Sequence, residues 1–129
     1  NIAWAYAKLC LAKPDLMDVI AEDVMQKCKD FSPQHCSNTA WAFGTAGLLN
    51  EGLMDCLTGV ARRQISEFNC QDLANMTWAC AKLVWTESPL LDVLAQDVVR
   101  KAANFSPQNV AITAWSFGVL LVVHEPMMA

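Results

Sequence analysis

The stretch Asn38-Thr39-Ala40-Trp41-Ala42-Phe43-Gly44 decides the reading of this chain, because it occurs four times. Asn1-Ile2-Ala3-Trp4-Ala5-Tyr6-Ala7 precedes it. Asn75-Met76-Thr77-Trp78-Ala79-Cys80-Ala81 and Ile112-Thr113-Ala114-Trp115-Ser116-Phe117-Gly118 follow. Trp4, Trp41, Trp78 and Trp115 keep a constant spacing of 37 residues, and Phe31-Ser32-Pro33-Gln34, Phe68-Asn69-Cys70-Gln71 and Phe105-Ser106-Pro107-Gln108 keep the same step. A fixed period of this length is the signature of stacked supersecondary units.

Within one period the pattern reads as two helices. Ser32 suits an N-cap and Pro33 a first helical turn, which starts an A-type helix running from about 33 to 48. Gly47 or the Asn50-Glu51-Gly52 stretch ends it. A B-type helix follows over about 52–66, where Leu53, Cys56, Leu57, Val60, Ala61 and Ile65 recur at amphipathic spacing. Pro14 and Pro89 stand where the other B-type helices begin. The order A-B-A-B-A-B-A gives about three and a half repeats in 129 residues. The expected fold is all-α, a right-handed helix-pair superhelix (α-solenoid) forming one segment over 1–129, and the unpolar ends read as those of a piece of a longer repeat protein.

Composition narrows the function. With 54% hydrophobic residues the chain has ample core. The net charge of −4 and pI near 4.9 leave no global basic footprint for indiscriminate phosphate binding. Six cysteines show no CxxC pair or ligand spacing, so they read as reduced core residues, with no metal site. No apolar run reaches the roughly 18–20 residues of a membrane span. Two histidines, no phosphate-binding glycine loop and no cofactor motif leave no inventory for catalysis.

Binding candidates therefore lie in columns. Helical phasing gives each A-type helix a wide apolar surface and one narrow polar arc, which in the second copy holds Gln34, His35, Asn38, Ala42 and Thr45. Trp41 and Phe43 fall in the apolar sector, as spacers between layers. Asn1, Asn38, Asn75 and Ile112 make one column, whose amides suit hydrogen bonding to base edges and equally suit bonding within the scaffold. Lys8, Thr45, Lys82 and Val119 make a second, and His35, Asp72 and Asn109 a third. Their variation fits unit-by-unit readout of a single strand, as well as an unconstrained surface. Arg63, Arg100 and Lys101 form a basic column at the ends of B-type helices, where cations favour the helix dipole and also suit backbone phosphates.

The phrases Asn38-Thr39-Ala40-Trp41-Ala42-Phe43, Phe105-Ser106-Pro107-Gln108-Asn109 and Leu90-Leu91-Asp92, with the period of 37, resemble the heptatricopeptide and octotricopeptide repeats of organellar proteins over the whole chain. The resemblance implies a paired-helix superhelix that binds single-stranded RNA in a chloroplast or mitochondrion, in transcript stabilisation, processing, translation or ribosome assembly. On that reading Asn1, Asn38 and Asn75 contact bases, helped by Lys8, His35, Asp72, Lys82 and Asn109, while Arg63, Arg100 and Lys101 hold phosphates. The alternative is a protein-interaction scaffold or structural subunit of a large organellar assembly, which the acidic balance and Ile112 fit better.

Overall fold

The computed structural model describes residue 5 and residues 14–124. Over residues 14–124 six helices follow one another: α1 (Pro14–Lys27), α2 (Pro33–Ala46), α3 (Glu51–Gln64), α4 (Cys70–Leu83), α5 (Ser88–Lys101) and α6 (Pro107–His124); residue 5 apart, the A-type helix expected before them lies outside the described residues. There is no strand among the described residues. The helices α2, α4 and α6 are A-type, and α1, α3 and α5 are B-type. Each B-type helix tightens into a 3-10 turn, at Cys28–Asp30, Ile65–Glu67 and Ala102–Asn104, before the chain extends into the next A-type helix.

The helix ends follow from local chemistry. Ser32 caps α2: its Oγ accepts from the His35 N–H at 3.2 Å, and His35 Nδ1 accepts from the Ser32 N–H at 3.4 Å. Asn69 and Asp72 repeat this reciprocal arrangement at α4, at 2.8 and 3.2 Å. Such a box satisfies two of the orphan N–H groups at a helix start. Gly47 ends α2 in the left-handed region at φ 69°, with the Leu48 N–H reaching back to the Phe43 carbonyl. Asn50, expected to help end the A-type helix, instead caps the next one, its Oδ1 accepting from the Leu53 N–H at 3.0 Å. Loop and caps are thus compressed into the four residues 47–50, and α3 starts at Glu51.

Two layers result. The A-type helices pack side by side, with α4 between α2 and α6, and the B-type helices pack α1 on α3 and α3 on α5. Between the layers lie Phe43, Leu53, Leu57, Leu73, Met76, Leu90 and Leu94, all buried. Each such side chain contributes about 1.5–3 kcal/mol of hydrophobic stabilisation. The A-type helices approach closely because their facing positions are small: a Cβ on Gly44 would stand 3.1 Å from Ala79 Cα.

Consecutive units are also pinned by one B-type position. Gln64 Nε2 donates to the Phe31 carbonyl at 2.9 Å. Lys101, 37 residues later, donates to the Ser66 carbonyl at 3.1 Å and to the Phe68 carbonyl, and pairs with the buried Asp97 at 2.6 Å. A long side chain at this place satisfies carbonyls that the B-to-A junction would leave unpaired.

Candidate functional site

Burial along α4 isolates its outward face. Apart from Cys70 at its start, the residues that keep solvent contact are Gln71, Asn75, Trp78 and Lys82. These lie at i, i+4, i+7 and i+11, one line along a helix. The same line holds Gln34, Asn38, Trp41 and Thr45 on α2, and Gln108, Ile112, Trp115 and Val119 on α6, none of them buried. Three parallel helices therefore present a surface whose rows are amide, amide or isoleucine, tryptophan, and a varied fourth residue.

This surface differs from the arc read by phasing. Ala42, Ala79 and Ser116, expected on it, are buried at 5%, 0% and 0% exposure. The tryptophans, expected between layers, are on it. At ~100° per residue, Trp41 lies about 60° to one side of Asn38 and Ala42 about 40° to the other. Periodicity allows a stripe centred on either side, and packing chooses. The narrow gap between α2 and α4 admits alanine and glycine but no indole, so the tryptophans are displaced to the outer rim. There Trp41 and Trp78 stack, with ring centroids 5.9 Å apart and planes 28° from parallel. Lys82 Nζ sits 5.7 Å from the Trp78 ring centre, a cation–π contact.

The individual candidates separate into distinct environments. Asn1 and Lys8 lie outside the described residues. Asn38 is exposed; Asn75 is half-buried, and its Oδ1 accepts from Gln71 Nε2 at 2.9 Å, which leaves its NH2 to donate outward. The column His35, Asp72, Asn109 occupies the third residue of each A-type helix. His35 is exposed but engaged in the Ser32 cap, and its ring meets Phe31 edge-on at 5.6 Å. Asp72 is buried, and beside its capping bond it accepts from Ser37 Oγ at 2.9 Å, tying α4 to α2. Asn109 is half-buried, with its N–H on Ser106 Oγ at 3.1 Å. This column builds helix starts and the A–A interface. The capping box, serine or asparagine three residues ahead of it, was the signal in the sequence.

The basic column divides likewise. Arg63 is exposed on α3. Arg100 is exposed but bonds Asp97 at 2.7 Å, and Lys101 is half-buried in the junction described above. Arg63 alone of the three is held by no ion pair among the described residues. Phasing placed Gln34, Gln71 and Gln108 on the polar arc without making them a candidate column, and it missed the tryptophans.

Electrostatics differ sharply between the layers. The only ionisable side chains of α2 and α4 besides the cysteines are His35, Asp72 and Lys82. The exposed acids stand on the B-type helices, among them Asp18, Glu22, Asp23, Asp55 and Asp92, or in the 3-10 turns that follow them, as Asp30 and Glu67. The net negative charge is therefore carried away from the amide and tryptophan rows. The thiols are sealed inside: burial, reinforced by neighbouring ionisable groups, pushes Cys36 and Cys80 up to about 12 from 9.0. No group of three or more metal-ligating side chains comes together among the described residues, and no helix there is long and apolar enough to cross a membrane. No known family model matches the chain, and no curated protein matches it.

Proposed function

We propose that the chain is a single-stranded RNA-binding module of the organellar helical-repeat kind, non-catalytic, its helix pairs coiling as a right-handed superhelix with the A-type helices inside. The observation that carries this reading is the uncharged stripe of Gln34, Asn38 and Trp41, repeated as Gln71, Asn75 and Trp78. Amides offer both donors and acceptors to base edges, and indole rims offer surfaces on which bases stack without regard to sequence. Thr45 and Lys82 vary the fourth row from unit to unit, as readout of roughly one nucleotide per repeat requires. By the 37-residue spacing alone, Asn1 matches Asn38 and Lys8 matches Thr45. Arg63 is the phosphate contact best supported by its exposure; His35 and Asn109 act at the rim, and Asp72, Arg100 and Lys101 support the scaffold beneath. Segregation of the acidic residues onto the B-type layer removes the objection that a pI near 4.9 raises.

The test is binding of single-stranded RNA pools followed by anisotropy on selected sequences. Asn38→Ala with Asn75→Ala should lose sequence preference and weaken binding by about 1–3 kcal/mol per base contact. Unchanged affinity and preference would sink the base-contact assignment. Arg63→Ala should weaken binding evenly across sequences and lower the salt slope by about 1.

A second reading, a scaffold holding a peptide or helix within an organellar assembly, is favoured by one feature: Ile112 and Val119 make the α6 rung apolar. RNA affinity falls log-linearly and steeply with salt, whereas an apolar protein contact changes little, so a salt titration separates the two.

A further inference from the structure

The A-type helices α4 and α6 each turn a leading face toward the helix before, and α2 and α4 each turn a trailing face toward the next. On α2 the trailing face is Ser37, Ala40 and Gly44, and on α4 it is Ala74, Thr77 and Ala81; all six are buried. On α6 the same positions are Ala111, Ala114 and Gly118, and all three are exposed. Val110 and Leu121 flank them at 51% and 59% exposure, with Val122 at 71%. A Cβ on Gly44 would press on Ala79, whereas one on Gly118 meets nothing within 4 Å. This face carries no charge, and it has kept the small residues that elsewhere exist to admit a neighbouring helix. An exposed apolar patch of this kind marks an interaction surface.

We propose that the trailing face of α6 is a docking surface for the A-type helix of one more 37-residue helix pair. The occupant runs parallel to α6 and offers small and aliphatic residues like Thr113, Ser116 and Leu120, the leading residues that α6 itself buries against α4. Continuity with the α2–α4 and α4–α6 interfaces identifies it: two successive contacts use these positions, and the third set is in place without its partner. Such an added pair also gives Trp115 a neighbour to stack on, as Trp78 has in Trp41.

The experiment compares the 129-residue chain with a polypeptide of residues 1–120 followed by a second copy of residues 84–124, which supplies the loop of residues 84–87 between the helices. In the extended chain amide exchange within α6 slows by about 10-fold or more, as expected of a terminal unit made internal, and iodide quenches Trp115 less. Gly118→Leu removes both gains there, while the 129-residue chain tolerates it, because the added side chain has open space. Equal α6 exchange and equal Trp115 quenching in the two chains would overturn the proposal, as would gains that survive Gly118→Leu. Unfolding of the extended chain at lower denaturant than the parent counts as the same refutation. A parent chain that dimerises in sedimentation, and dissociates on Gly118→Leu, would show instead that the occupant is a second copy.

Discussion

Val84 occupies the place that Gly47 holds one repeat earlier, and it adopts the same left-handed conformation, at φ 54°. A β-branched residue there sets its Cβ against its own carbonyl, a cost of roughly 1–2 kcal/mol that glycine avoids. Half its side chain is in solvent, so little packing compensates. Val84→Gly should therefore raise stability by about 1 kcal/mol in urea unfolding, the relief of strain outweighing glycine's larger chain entropy. The buried thiols give a pH dependence of definite sign. Folded Cys36 and Cys80 hold their protons to about pH 12, while unfolded thiols release theirs near 9.0. Between those values the unfolded state binds fewer protons, so stability should be level below pH 9.0 with respect to these groups and fall as pH rises through the interval. Unfolding under reducing conditions checks this, with a shallower fall in Cys80→Ala. At this scale the sequence was readable where a residue's job is local: Ser32 and Pro33 named the start of α2. It was unreadable where the job depends on what lies opposite. Asp72 resembled a surface acid until its partner Ser37, on another helix, came into view.

At the scale of the helix, one position decides how close neighbours come. Gly44→Ala gains about 1 kcal/mol of helix propensity and loses more by forcing Ala79 and the Trp78 ring away, for a net cost of about 1–2 kcal/mol. Gly118→Ala, on a helix with nothing opposite, should keep the propensity gain of up to about 1 kcal/mol. Paired denaturation curves of the two variants would show opposite signs. Order and starts of the described helices were legible because a period of 37, proline at helix starts and glycine at a helix end are covalent facts of the chain, whereas the ends, expected near 48 and 66, fall at Ala46 and Gln64, and the first expected A-type helix lies, residue 5 apart, outside the described residues. Rotation of the A-type helices about their axes was not. Trp41 and Ala42 stand on opposite sides of Asn38, and which of them faces out follows from the width of the gap between α2 and α4, a property of two helices together. Reading tryptophan as interior because it is large reverses the physics here: its size is what excludes it.

Among the described residues the main helix contacts run within a pair or between neighbouring pairs, so stability approximates a sum of units and nearest-neighbour interfaces. The unit with neighbours on both sides, containing α4, should exchange its amides most slowly, with protection declining toward α1 and α6; native-state exchange measures that order. The contact between Trp41 and Trp78 offers a way to watch the same interface by light. Two indoles 5.9 Å apart and tilted by 28° are close enough for their excited states to mix. Their ultraviolet transitions should split into a pair of circular-dichroism bands of opposite sign, absent from Trp41→Phe and from Trp78→Phe alike. Because each ring rides on a different helix, the intensity of that couplet is a gauge of how far the layer has opened. A ligand wedged between the rings would erase it without unfolding a single turn.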